Sequence, residues 1–343
     1  MNVLASLSPP KETAARAVMR NALVGILGSK GGAGATTLAV NLSATLARLL
    51  PSQSPVSLLD ANFQQPDAAL QLDCRPEHAL TELLIRAHTL EPQIVEACKN
   101  VVNSCQNLRL ITAALDGSAA TRHDKGELVA CLPSITASSS VTVIDLPRTL
   151  DKSLVMLLDL CQVIVLVVEP NISSIAATRR WLEAFNDLEY AAGKIILAAN
   201  RLGSKARLLE TQLSSSFSLY PVVNIPNAFK SIEASQIEGI PSVRRNPRDP
   251  YAKSILALSE ETLLRLKVEV AEVGYQSHTP TTNADSSAIG ETPGAPPGWQ
   301  QHESLSEPGR CRSAQDLDGQ HLPKHSLDTQ VNGFAARTIG EAR

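Results

Sequence analysis

The chain has 343 residues, 43% of them hydrophobic and only 3% aromatic, with 31 Lys+Arg against 34 Asp+Glu for a formal net charge of -3. That balance excludes general attraction to DNA or anionic lipid through bulk charge. An apolar content drawn from Leu, Val, Ile and Ala suits a parallel sheet covered by helices, which a single open α/β domain of about 250 residues can provide.

Met1 to Arg20 is polar, contains Pro9-Pro10 and is too short for a domain, so it reads as an N-terminal extension. It has no long apolar stretch before a small-residue cleavage site, so no secretory signal is expected. Leu23-Val24-Gly25-Ile26-Leu27 predicts a strand over 22–27, and Leu38 to Leu50 predicts a helix. Between them runs Gly28-Ser29-Lys30-Gly31-Gly32-Ala33-Gly34-Ala35-Thr36-Thr37. Strand, glycine loop and helix in that order are the setting of a phosphate-binding loop. Glycines let successive N–H groups turn inward toward phosphate oxygens, and the helix start adds partial positive charge. Thr36 stands where such a loop offers a hydroxyl to magnesium. Ala35 stands where its lysine belongs, and Lys30 is the only lysine in the loop.

Val56-Ser57-Leu58-Leu59-Asp60 is a strand ending in a carboxylate, followed by Ala61-Asn62-Phe63-Gln64-Gln65-Pro66-Asp67. A helix is expected over Pro76 to Ala87 and a strand over 108–112. Val141-Thr142-Val143-Ile144-Asp145 repeats the strand-then-aspartate pattern and runs into Leu146-Pro147-Arg148. A strand-ending Asp is often only a turn or helix-capping residue, but two of them behind a phosphate loop favour a metal site. A helix over Ser153 to Asp159 leads to Val163-Ile164-Val165-Leu166-Val167-Val168, an apolar run far too short to cross a bilayer. After a helix over Ser173 to Phe185 comes a strand over 195–199 that ends at Asn200-Arg201. A further strand over 221–224 precedes Ile225-Pro226-Asn227.

Arg244, Arg245 and Arg248 read as a solvated basic cluster. Tyr251 to Val273 reads as an amphipathic helix whose Glu260, Glu261 and Glu269 interrupt the basic face a membrane helix wants, so packing on the sheet is expected. From Gly274 to Arg343 the chain is polar and rich in Pro, Gly, Ser and Thr, and should be disordered. Six cysteines form no Cys-x-x-Cys pair, and Cys98, Cys105 and Cys131 read as small buried hydrophobes. The alternation of strands and helices predicts an α/β fold, a mostly parallel sheet with helices on both faces. Ligand then belongs at the carboxyl ends of the strands, where Lys30, Asp60, Asp145 and Asn200 all fall.

The segment Lys30-Gly31-Gly32-Ala33-Gly34-Ala35-Thr36-Thr37 resembles the KGGxGKTT loop of the ParA/MinD ATPases, and its alanine form is most similar to the CpaE/TadZ pilus-assembly branch. The resemblance covers about residues 20 to 265 and implies a P-loop ATPase domain over 21–273. It implies ATP and Mg2+ as ligands, held by Gly31, Gly32, Ala33, Gly34, Ala35, Thr36 and Thr37. Lys30 matches the signature lysine that reaches a partner's phosphates in an ATP-dependent homodimer. Asp60 matches the aspartate near the attacking water and the magnesium shell, although Asn62 replaces the second acid of that motif. Asp145 matches the Walker B aspartate, so the implied metal set is Thr36, Asp60 and Asp145. Asn200 matches an adenine-binding asparagine, and Pro226 falls in a segment bordering the base.

Three functional classes follow from that resemblance. One is an ATP switch with weak ATPase activity that serves a Flp/Tad-type pilus or secretion machine, located in the cytoplasm, at the cell pole or against the inner membrane. Another is a nucleotide-holding scaffold without hydrolysis. The third is a positioning ATPase acting on DNA or membrane. CpaE/TadZ proteins commonly carry a receiver-like domain ahead of the ATPase, and the short stretch ahead of residue 21 leaves that branch's localisation function open.

Overall fold

Runs of apolar residues buried on both sides dictate an architecture with helices above and below a sheet. The structure, a computed structural model, describes residues 21–63, 65–114, 125–203 and 215–267. The expected extension at 1–20 and tail at 274–343 lie outside those residues. Eight strands form one sheet: β1 Ala22–Gly28, β2 Val56–Asp60, β3 Asn100–Val101, β4 Leu108–Ile111, β5 Val141–Asp145, β6 Val163–Val168, β7 Ile195–Leu202 and β8 Val222–Pro226. Their order is β3-β4-β2-β5-β1-β6-β7-β8, parallel throughout except for the antiparallel edge pair β3–β4. The mostly parallel α/β sheet expected from the sequence is present.

Alternation along β1 shows how the two faces are filled. Ala22, Val24 and Ile26 join the core beneath α1 (Ala35–Leu49), α2 (Asp67–Gln71), α9 (Ser242–Arg245) and α10 (Pro250–Arg265), with α8 (Phe229–Glu238) at its margin. Leu23 and Leu27 join the opposite core, beneath α3 (Leu80–Ile85), α4 (Pro92–Ala97), α5 (Lys125–Thr136), α6 (Lys152–Leu160) and α7 (Ile172–Asp187). Asp151 caps α6, accepting from Leu154 N at 2.9 Å, and Asn171 caps α7, accepting from Ser174 N at 2.9 Å.

Two expected helices are shorter than their sequence patterns. The first begins at Leu80 rather than Pro76, because the Asn100 amide holds the preceding backbone extended: Oδ1 accepts from Glu77 N at 3.0 Å and Nδ2 donates to His78 O at 3.0 Å. Glu82 then reaches back to accept from Ala79 N at 3.1 Å. The last helix ends at Arg265, and residues 268–273 of the expected span lie outside the described residues. Cys74, Cys98, Cys105, Cys131 and Cys161 are all buried and unbridged. Among the described residues no helix is long and apolar enough to cross a membrane, and no group of three or more His, Cys, Asp and Glu residues is placed to hold a metal.

Candidate functional site

The glycine loop leaves β1 at the carboxyl edge of the sheet, with its outer side pinned to neighbouring elements. Ser29 N donates to Val167 O at 2.9 Å, the Ser29 and Ser174 hydroxyls meet at 3.0 Å, and Trp181 Nε1 donates to Ser29 O at 3.3 Å. Gly32 and Gly34 adopt positive φ, +76° and +91°, which side chains disfavour. A Cβ on Gly34 would also lie 2.6 Å from Asn200 Nδ2. Gly34 precedes α1 and provides no capping side chain, and no acid lies in the first turn. The open N–H groups and the dipole at that end thus favour an anion.

Two carboxylates stand beside the loop because β2 and β5 are neighbours in register, Asp60 opposite Asp145. Thr36 Oγ1 donates to Asp145 Oδ2 at 2.6 Å, which ties the loop's hydroxyl to the strand-ending acid. Asp60 is fully buried, and its oxygens accept from Asn62 N at 3.0 Å and Ala68 N at 3.1 Å. Burial pushes both carboxyl groups up, and the charge of Asp145 pushes Asp60 further, to about 8. For Asp145 the Thr36 hydrogen bond partly offsets burial.

A cavity of about 560 Å³ opens over the loop and is lined by Lys30, Gly32 to Thr37, Gln65, Asp67, Asp145, Arg148 and Arg201, among others. A second, of about 500 Å³, shares Gly34, Thr37, Arg201 and Gln236 with it and is walled by Asn200, Pro226, Ala228, Phe229, Ile232 and Tyr251. One is polar and charged, the other mixed, and both fall in the size range of small-molecule sites. Lys30, exposed, donates to Ser173 Oγ at 2.9 Å on its own chain. Asn200 Nδ2 donates to Ala33 O at 2.8 Å, and its Oδ1 accepts from Arg201 N at 3.0 Å, so its amide also braces the loop. Asp60 and Gly31 do not line the larger cavity. Sequence reasoning passed over Arg201, which sits at positive φ (60°) on an irregular stretch of β7 and pairs with Glu169. It also left Arg148 without a role.

The donor set decides what this site could hold. Thr36 and Asp145 are hard oxygen donors, with Asp67 in the same cavity, and such donors suit magnesium. The uncapped loop amides and three nearby cations suit a polyphosphate.

No protein-family model matches the chain. A relative of Methanocaldococcus jannaschii described as an uncharacterized ATP-binding protein is 23% identical over 244 residues, 70% of this chain and 87% of the relative. Among solved structures, a ParA family ATPase from Chlorobium tepidum matches with a TM-score of 0.62, at 18% identity, over 70% of this chain and 99% of its own. The chain has the ParA/MinD fold. The septum site-determining protein MinD of Pyrococcus horikoshii, solved with Mg-ADP, matches similarly, with a TM-score of 0.59, 22% identity and coverage of 73% and 99%.

Proposed function

We propose that this protein binds ATP with magnesium at the carboxyl edge of its sheet and acts as a nucleotide-dependent, dimerising switch. The observation that carries the reading is the Thr36–Asp145 hydrogen bond, which sets a loop hydroxyl and a buried acid side by side under an uncapped helix start. Thr36 and Asp145 would hold the metal, which when bound neutralises phosphate charge. The loop amides would orient the phosphates, and the walls around Pro226 and Phe229 would shelter the base from water. Both described relatives with a stated ligand, the ATP-binding protein and the Mg-ADP-bound MinD, support that choice.

Hydrolysis on this reading is slow. Asp60, the acid expected beside the attacking water, is buried with both oxygens taken by backbone N–H groups, and Ala35 carries no charge. The test is calorimetric titration of the full chain with Mg-ATP, followed by single-turnover phosphate release. Saturable binding in the micromolar range with release over many minutes is expected. No heat of binding at millimolar ATP overturns the reading.

For the biological setting, the Ala35 form of the loop supports assembly or polar placement of a Flp/Tad-type pilus or secretion machine. A gene-deletion strain that still assembles its surface pili normally would remove that setting while leaving the nucleotide switch in place.

A further inference from the structure

The reading above leaves the lost loop lysine without a replacement, and one side chain lies where a replacement is needed. Arg148 follows Asp145-Leu146-Pro147 at the end of β5, and its side chain runs along the glycine loop. A Cβ placed on Gly28 would lie 3.6 Å from Arg148 Cδ and equally 3.6 Å from Ala35 Cβ. The two side chains therefore approach one spot and lie no farther apart than twice that distance. Beyond it the guanidinium lies over Gly31, where a Cβ would meet Nη1 at 3.2 Å and Nη2 at 3.3 Å. A side chain at Gly31 would crowd the guanidinium, which would have to shift by a few tenths of an ångström.

Its surroundings are just as informative. Lys30 is engaged with Ser173 and Arg201 with Glu169, whereas Arg148, exposed and lining the larger cavity, forms no ion pair among the described residues. An unpaired guanidinium beside a helix start of the same sign is an arrangement that gains from an anion. We propose that Arg148 supplies, within its own chain, the phosphate-binding cation that Ala35 leaves out of the loop. The proposal rests on nucleotide binding at this site. An arginine there is permanently charged and offers two parallel donors, so it can grip a phosphate from outside the loop as a lysine would from within it.

The experiment is titration of the full chain with Mg-ATP and with AMP for wild type, Arg148→Ala, Arg148→Lys, Ala35→Lys and the double variant Arg148→Ala/Ala35→Lys. Loss of one charge-assisted phosphate contact should weaken ATP binding about tenfold or more in Arg148→Ala. The nucleotide-free melting temperature should change little, because the side chain is exposed and braces no core. AMP should lose much less than ATP, because the loop lysine that this arginine replaces reaches the β- and γ-phosphates, which AMP lacks. Arg148→Lys should recover part of the loss, and the double variant should return close to wild type, since the charge is restored beside the same spot. Equal ATP affinity in wild type and Arg148→Ala overturns the proposal, as does an equal loss for AMP or no rescue by Ala35→Lys. A defect confined to protein concentrations at which wild type dimerises would show the arginine acting on the partner's nucleotide, and also overturns it. If wild type itself binds no ATP, the nucleotide reading fails first, a result told apart by the silence of every protein in the set.

Discussion

Ala35 removes a positive charge from the loop, so the remaining charged groups around it should respond sharply to single substitutions. Lys30 is exposed and, among the described residues, its side chain holds only Ser173 Oγ, so its loss should leave the fold intact. If it serves a partner's phosphates, Lys30→Ala should abolish the mass increase on adding Mg-ATP in light scattering. An ATP-dependent dimer of unchanged strength would show that the lysine bridges nothing. The aspartate pair makes a separate prediction about pH. Both carboxyls titrate higher in the folded chain, Asp145 at about 7 and Asp60 at about 8, than the value of about 3.9 for an unfolded aspartate. Their protonated forms therefore favour folding, a contribution that is full below about pH 4 and lost as pH rises through 7 and 8. Without metal, the melting temperature should fall between pH 5.5 and 8.5, and Asp145→Asn should flatten that fall by removing one of the two facing charges. Added magnesium should flatten it as well. Thermal scans in chelator across that range check it, and equal slopes for wild type and Asp145→Asn would count against the pair. Thr36 and Asp145 were legible as a pair because each belongs to a local pattern. The grip of Asn200 on Ala33 was not, since those residues lie far apart in the chain and only the β1–β6–β7 pairing brings them together.

At the scale of elements, α10 and α1 pack together over the sheet, and Ile255 and Leu258 are completely buried in the core they share with Leu42 and Leu46. Ile255→Ala should cost about 2–5 kcal/mol of stability through the cavity it leaves. Urea unfolding measures that cost directly, and ATP affinity measured well below the transition should change little. A negligible loss would mean that α10 is held elsewhere and its apolar stripe is available for other uses. The strands were legible because runs such as Val163–Val168, buried on both faces, have no polar alternation to confuse them with surface. The short helices α2, α4, α8 and α9 and the two-residue strand β3 were not read, because segments of two to ten residues carry too little periodicity and owe their shape to contacts with the sheet. The 12-residue α5 was not read because Pro133 inside it signals a helix break. The shortened α3 has the same origin, as its start is set by Asn100, a residue well downstream.

For the whole molecule, a net charge of -3 together with the packed apolar face of α10 predicts weak binding to random duplex DNA and to anionic liposomes at physiological salt. Flotation and filter-binding assays with and without ATP check this, and a steep salt dependence of DNA binding would point instead to a positioning role. A chain ending at Val273 should keep its melting temperature and ATP affinity, since the sequence beyond is too polar to build a core. A drop of several degrees on truncation would show that the tail packs on the domain. The strand order also sets when the site can exist during synthesis. The loop-bearing strand β1 leaves the ribosome well ahead of both its neighbours, β5 and β6, which are made more than a hundred residues later. At ordinary translation rates that is a wait on the order of ten seconds. Through that interval the apolar strand has no partner on either edge, and a nascent chain stalled before Val141 should be captured by holdase chaperones and insensitive to ATP.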